Sequence, residues 1–407
     1  MSKFTAYIVP FNDDGSYSDN EIEITEDIER SSLGRITQTV DNNQYNVGVL
    51  TYNDFNLKLR NEHGKYSDIG QENTIFRYKR NDSIFRLYWQ IESYPPYCGL
   101  AISGLSRLSE RKLIYEGFIK DEATEESVRD QFTLLKVLSF ESILSQIDVP
   151  NGVLNNGDTF TEAIFDILNQ TLLTNLLTID VANFSVGYET TLDDVSSLAQ
   201  LTGKEALDEL LLISNSILFI KDRVLYIKGR DEVKPLAYTF YGPASLLGLE
   251  NIQDITSIKT GVSKVFNFWT WENQSFSVED ATSIAKWGVR KKEIRSLSIT
   301  NITKQQSILA ALATQYGPAK KSFNLTSPLN YQTLPLYFLD KVVVDYPTVF
   351  IALPGRVLPV YDSAIYDEDY YPKPEQSLVI DIGTEWKINS VNIDVQKQLV
   401  QYELREV

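Results

Sequence analysis

Phe85-Arg-Leu-Tyr-Trp-Gln-Ile-Glu92 alternates apolar and polar side chains. Successive side chains of a strand point to opposite faces, so a period of two predicts a half-buried β-strand. Working outward, Glu21-Ile-Glu-Ile-Thr-Glu-Asp-Ile28 carries the same alternation. Residues 4–10, 35–40, 55–60, 74–80 and 132–140 are further strand candidates. Leu113-Ile-Tyr-Glu-Gly-Phe-Ile119 is another, with Gly117 expected to mark a bulge. Tyr94-Pro-Pro-Tyr-Cys-Gly99 reads as a loop, and the acidic residues 121–130 as an exposed connection. Short strands at short intervals predict a sandwich or barrel over residues 1–148.

Near residue 148 the periodicity changes. In Asp158-Thr-Phe-Thr-Glu-Ala-Ile-Phe-Asp-Ile-Leu-Asn169 a capping residue precedes an amphipathic run, with Phe160, Ile164, Ile167 and Leu168 on one face. Residues 191–200 start a second expected helix and 204–213 a third. Residues 216–228 read as a tight hairpin turning at Lys221-Asp222. Residues 149–230 are therefore expected to form a helix–hairpin α+β module. Strands resume at 236–241, 255–260 and 263–270. Residues 278–287 form a short helix or loop ending at Gly288, and 303–316 a clear helix stopped by Gly317-Pro318. Further strands are expected at 320–325, 341–346, 378–382, 386–395 and 399–406. The fold class is thus mainly β with α+β modules. The expected domains are 1–148, 149–230, 231–345 and a closing segment 346–407. No repeat of solenoid or propeller length is visible.

Composition narrows the function. The chain has 407 residues, 23 Tyr, 19 Phe and a formal charge of −17. That balance argues against a generic nucleic-acid binder or an anionic-membrane binder, both of which need clustered Lys and Arg. One Cys (Cys98) and one His (His63) exclude an intrachain disulfide, a Cys/His zinc site and a zincin motif. No secretory signal and no 18-residue apolar run is visible, so a cytoplasmically made protein without a membrane span is expected.

Candidate chemistry is sparse. Asp13, Asp14, Asp19 and Glu21 are close in sequence but do not match a calcium loop, and a plain hairpin loop is preferred. His63 lies in Arg60-Asn-Glu-His-Gly-Lys65, read as an exposed turn rather than a catalytic base. Gly203-Lys204 lacks the rest of a P-loop, and there is no nucleophile elbow. We expect no catalytic residue, metal or cofactor. Paired carboxylates of a glycosidase stay open as an alternative, since 55 acids are available and sequence cannot pick a pair.

The most unusual segment is Tyr361-Asp-Ser-Ala-Ile-Tyr-Asp-Glu-Asp-Tyr-Tyr-Pro-Lys-Pro374. Clustered tyrosines favour binding surfaces, and a long solvated loop is the plain reading. Tyr361, Tyr366, Asp367, Asp369, Tyr370 and Tyr371 are candidate partner-interface residues. Trp269 and Trp271 join them, from the alternating strand Phe266-Asn-Phe-Trp-Thr-Trp271, read as core with one partner-facing edge.

The order of segments resembles the tail hub proteins of tailed bacteriophages, the ring next to the end of the tail tube. The strand at residues 21–28, followed by Val47-Gly-Val-Leu-Thr-Tyr-Asn-Asp-Phe-Asn-Leu-Lys-Leu-Arg-Asn61, is similar to that family's opening. Residues 113–119 resemble its Gly-interrupted strand, and residues 202–230 its helix–hairpin unit. Ser283-Ile-Ala-Lys-Trp-Gly-Val-Arg290 resembles the step before its domain helix, and residues 386–406 its closing strands. The pieces are short and their order is the stronger signal. Asp340-Lys-Val-Val-Val lacks a Gly-Asp turn common in the family, and the Tyr-rich loop after 360 looks like an insertion. No appended lysozyme or peptidase domain is expected.

The resemblance implies two tube-like β-barrel or sandwich domains per chain. Three chains would then present six such domains and match a hexameric tube to a threefold tip. It implies a homotrimer, contacts with tail tube and distal tail proteins and with a central spike, fibre or tape-measure protein, and DNA only transiently in the lumen. The location implied is the virion tail tip or baseplate, after synthesis in the host bacterial cytoplasm. The charge of −17 suggests an acidic lumen that lets DNA slide. The alternative is a glycan-handling tail protein, either a receptor-binding module or a carboxylate glycosidase. A neighbouring ring such as a distal tail protein is a third reading.

Overall fold

The structure, a computed structural model, describes residues 4–42, 47–67, 74–76, 79–91, 110–127, 131–149, 152–169, 171–174, 176–232, 234–242, 251–259, 261–330, 333–334, 336–346 and 385–407. The fold is mainly β, in three sheets with short helices between them.

The first sheet runs Ile22–Glu23, Phe4–Phe11, Lys79–Ile91, Glu110–Ser127, Phe132–Ser139, Phe55–Arg60, all antiparallel. It curls until its edges meet: Ile28 bridges Leu59, and the Glu29 amide donates to the Lys58 carbonyl at 2.9 Å. Such closure satisfies edge groups that a flat sheet leaves open. Alternation sets its faces. Phe85, Leu87 and Trp89 are buried with Ala6, Ile8, Leu57, Leu59, Leu135 and Val137, while Arg86 and Tyr88 lie on the other face, half-buried.

Three expectations change here. The strand expected over 21–28 ends after Glu23, because the Thr25 hydroxyl accepts the Ala6 amide at 3.0 Å. A side chain has taken the partner that the ladder would have used, and the chain turns through Thr25–Asp27. Residues 74–76 are not strand; Lys79–Ile91 begins later. Gly117 stays in register, opposite Phe85 and Ser139, and the extra residue is Ile114, between Leu113 and Tyr115. Backbone of residues 121–127 continues the strand Glu110–Ser127.

The second sheet draws on the whole chain. Its order is Asp254–Lys259, Ser322–Pro328, Leu399–Glu406, Glu385–Asp394, Arg35–Asn42, Val47–Tyr52, Ser216–Lys221, Val224–Gly229, Phe184–Ser185. Glu385–Asp394 is shared along its length. Residues 391–394 pair with Arg35–Asn42, and residues 385–387 with Lys341–Asp345, which pairs in parallel with Leu236–Tyr241. Leu236–Tyr241, Lys341–Asp345, Glu385–Asp394, Leu399–Glu406, Ser322–Pro328 and Asp254–Lys259 thus form a second six-stranded unit. Its two sides are tied by residues 251–253: Asn251 and Ile252 donate to the Tyr241 carbonyl, and Gln253 to that of Thr326. Phe240, Phe323, Val342, Trp386, Tyr402 and Leu404 fill it, and this core runs on into that of the first unit.

The helices Phe160–Leu168 and Gly203–Ile213 each open with a reciprocal cap, Thr159 with Glu162 and Thr202 with Glu205. The expected face of the first helix, Phe160, Ile164, Ile167 and Leu168, is fully buried. The hairpin Ser216–Lys221/Val224–Gly229 turns through Asp222 and Arg223 at φ 51° and 61°, one residue later than expected. Positive φ at both positions matches the twist of the flanking strands. The hairpin joins Val47–Tyr52 in parallel.

Residues 191–200 are turns ending in the 3-10 turn Leu198–Gln200, not the expected helix. Distant partners hold them. The Asp193 carboxylate accepts from the amides of Thr300 and Asn301 and from Lys304 Nζ at 2.5 Å, while the amides of Asp193 and Asp194 donate to Ser298. A small third sheet, Ser277–Glu279, Phe268–Trp271, Lys291–Ile294, packs with the helix Ile302–Tyr316. The helix Ala281–Trp287 ends at Gly288, whose φ of 74° suits glycine.

Candidate assembly surfaces

The outer, polar positions of Lys79–Ile91 build the first surface. Arg86 donates from Nε to Glu116 Oε1 and from Nη1 to Glu21 Oε1, both at 2.7 Å. The Tyr88 hydroxyl donates to the same Glu21 oxygen at 2.9 Å, and Arg111 Nη2 lies 3.0 Å from Glu21 Oε2. The Arg111 guanidinium also covers the rings of Tyr7 and Tyr88, at 4.9 and 4.7 Å, and these rings meet edge to face at 5.6 Å. Burial alone would raise the pKa of Glu21, but the hydrogen bonds from Arg86 and Tyr88 and the nearby guanidinium charges outweigh it and hold the carboxyl low. Burial wins at Glu116 and pushes it up despite Arg86. Burial, with Glu21 adding to it, pushes the Tyr88 hydroxyl up to about 12. Arg111 is the outermost member, its side chain 49% exposed. Arginine and tyrosine held rigidly at a surface are the residue types that dominate protein interfaces. This lattice suits recognition of a partner's carboxylates or rings. Sequence reasoning missed it, and the available signal was the polar half of the alternation.

A second feature is the seam between the two curled units and the hairpin. A cavity of about 110 Å³ lies there, lined among others by Gln38, Tyr52, Tyr115, Glu141 and Tyr337. The Tyr52 hydroxyl donates to that of Tyr337 at 3.4 Å, and Tyr337 donates to the Ile220 carbonyl at 2.9 Å. Tyr52 and Tyr115 meet edge to face at 5.7 Å. Burial pushes all three hydroxyls well up, so they stay neutral, and those of Tyr52 and Tyr337 act as hydrogen-bonding spacers. Arg223 donates twice to the Leu176 carbonyl, at 3.0 and 2.7 Å, pinning the hairpin turn. The cavity is well below the ~300–1,000 Å³ of small-molecule sites. We read the seam as a joint that fixes the units against one another.

The sequence candidates fall elsewhere. Trp269 and Trp271 share one face of the central strand Phe268–Trp271 and are buried. Trp269 Nε1 donates to the Phe266 carbonyl at 2.9 Å, and its ring packs 5.8 Å from Tyr316. Both indoles belong to the core shared with the helices, and the edge strands of that sheet are Ser277–Glu279 and Lys291–Ile294. Tyr361, Tyr366, Asp367, Asp369, Tyr370 and Tyr371 lie outside the described residues, as does Cys98. His63 is exposed at φ 61°. The loop acids do not converge. Asp14 Oδ1 accepts from the Ser16 amide and hydroxyl, at 2.9 and 2.6 Å, and Glu21 is held by arginines. Among the described residues no group of three His, Cys, Asp or Glu is placed to hold a metal ion, and no helix is long and apolar enough to cross a membrane.

No family model matches the sequence, and no curated protein matches it. Solved structures do. The tail protein from Neisseria meningitidis MC58 superposes with a TM-score of 0.54 at 13% identity, over 99% of this chain and 96% of that one. The 43 kDa tail protein of prophage MuSo2 from Shewanella oneidensis superposes with a TM-score of 0.50 at 13% identity, over 98% and 97%. Likeness at this identity is likeness of fold, and over nearly its whole length this chain has the mainly β, multi-sheet fold of these two tail proteins.

Proposed function

We propose that this chain is a structural, non-enzymatic component of a phage tail, the hub of the tip or baseplate. The observation that carries the reading is the fold, shared end to end with two tail proteins. Two curled six-stranded units in one chain fit it, because three chains would offer six of them to a hexameric tube. Residues 1–148 supply the first tube-like domain, 149–230 the helix–hairpin module, and 231–345 with the closing segment 346–407 the second. The chain trimerises into a ring, contacts tail tube and distal tail proteins, and holds a central spike, fibre or tape-measure protein. DNA passes through an acidic lumen only during ejection, and the protein resides in the virion.

The Arg111–Tyr7–Tyr88 lattice and the Tyr361, Tyr366, Asp367, Asp369, Tyr370 and Tyr371 segment are the surfaces we assign to partners. Glycan handling is the second reading, but no cleft described above favours it: Glu116, which lines the seam cavity, is clamped by Arg86.

Negative-stain electron microscopy of the concentrated protein, with mass from light scattering, tests the proposal. Threefold rings with a central hole are the expected result. A monomer that stays monomeric when mixed with tail tubes, and does not sediment with them, would overturn it. A lumen lined with Lys and Arg would sink the acidic-channel part alone.

A further inference from the structure

A concentrated basic pocket lies within this acidic chain. Its lining contains Arg230, Lys320, Lys387 and Arg405 with the carboxylates of Asp231 and Glu406 and the last residue, Val407, around a cavity of about 100 Å³. The sheet itself sets the charges side by side. Lys387 is the cross-strand partner of Arg405 on one side and of Lys341 on the other. Like charges directly opposite one another destabilise a sheet. Lys341 has its own counter-ion, Glu385, at 2.6 Å. Among the described residues, no carboxylate lies within ion-pair distance of Arg230, Lys320 or Lys387.

Arg230 is the sharpest case. It is 7% exposed, and its Nε has no hydrogen-bond partner. Nη2 reaches only Asn389 Oδ1, at 3.4 Å. A buried guanidinium left short of partners is costly. The pocket acids are turned to other donors: Glu406 Oε2 accepts the Lys321 amide at 3.1 Å, and Asp231 Oδ2 faces Asn215 Nδ2 at 3.5 Å. Burial pushes the pKa of all four pocket cations down. Neighbouring cations add to this at Lys320, Lys387 and Arg405, while Asp231 opposes it at all three, and Arg405 falls to about 10. Among the described residues Arg230 is therefore short of acceptors, although Asp231 and Glu403 favour its charge from a distance.

We propose that this pocket binds a small oxyanion of the size and charge of inorganic phosphate, with Arg230 as its forked donor and Lys320 and Lys387 beside it. A planar guanidinium matches two oxyanion oxygens, and a cavity of about 100 Å³ has room for a small ion. The anion would join strands from three distant parts of the chain and act as a structural counter-ion.

The test is calorimetric titration and thermal melting of the full chain in sodium phosphate against sodium chloride at matched ionic strength. One saturable phosphate site per chain is expected, with a melting temperature raised by phosphate and not by chloride. Lys387→Gln is expected to weaken phosphate binding at least tenfold and to melt no lower than the parent in chloride, since it relieves repulsion. Arg230→Gln should abolish binding. If that variant does not fold, Lys320→Gln and Lys387→Gln carry the test. Equal effects of phosphate and chloride, or unchanged phosphate affinity in both lysine variants, would overturn the proposal.

Discussion

A Cβ atom added at Gly117 would sit 2.4 Å from the carbonyl oxygen of Leu138, on the neighbouring strand of the first unit. The same atom would lie 2.9 Å from the Tyr115 ring. Backbone at that distance cannot yield without breaking the ladder, where Phe118 pairs with Leu138. Gly117→Ala is therefore expected to destabilise by about 3 kcal/mol. Thermal or denaturant unfolding checks it, and a wild-type melt would show that the strands can separate locally.

Trp386 and Phe323 meet edge to face with centroids 4.6 Å apart in the second unit. Trp386 is 1% exposed, and its Nε1 has no hydrogen-bond partner. Truncation to Ala leaves a cavity and is expected to cost about 3–5 kcal/mol. Trp386→Phe keeps a ring and removes an unsatisfied donor, so its cost should be about 1–2 kcal/mol. Unfolding curves for the two variants should separate clearly; equal losses would contradict this account.

Arg86 bridges Glu116, whose side chain is 8% exposed, and Glu21, whose side chain is 18% exposed. Arg86→Met strands Glu116, while Glu21 keeps Tyr88 and Arg111, and is expected to cost about 3 kcal/mol. Adding Glu116→Gln should recover part of that loss, because a neutral amide is cheaper to bury than an unpaired charge. Stability measured for the single and double variants decides it. Arg111→Ala, at the exposed rim, should leave the melt nearly unchanged and weaken assembly, read by sedimentation with tail tubes.

Acid sensitivity follows from the helix caps. Glu162 and Glu205 are held below the ordinary 4.5 because the backbone amides and hydroxyls of Thr159 and Thr202 bond to their carboxylates. A carboxyl with a depressed folded-state value contributes stability that is present above its unfolded value and lost as pH falls through the folded one. Glu116 runs the other way. Burial raises it, so its contribution favours low pH and fades as pH rises through its folded value. Melting temperature is expected to fall below about pH 4.5, and less steeply in a Glu162→Gln/Glu205→Gln variant. Parallel pH profiles for variant and parent would count against the capping account.

Much of the fold was local and could be read directly. Alternation in Phe85-Arg-Leu-Tyr-Trp-Gln-Ile-Glu92 assigned both the strand and its inward face. A capping residue and the apolar stripe marked the helix Phe160–Leu168. The failures were equally physical. Residues 191–200 have a helical start signal, yet Asp193 is captured by Thr300, Asn301 and Lys304, more than a hundred residues away. The strand at 21–28 was cut short by one hydroxyl, that of Thr25.

By itself the sequence determined most of the element types, the mainly β class and the absence of any two-histidine or two-cysteine chemistry, because those depend on neighbours along the chain or on counts. Only the tertiary structure decided which strands share a sheet, with Arg35–Asn42 lying beside Glu385–Asp394. It alone gathered Glu21, Arg86, Arg111 and Glu116 on one face, and Arg230, Lys320, Lys387 and Arg405 around one cavity. Strand pairing is set by burying apolar faces against partners far along the chain, so charges that look scattered in an acidic sequence become neighbours only when the sheets close.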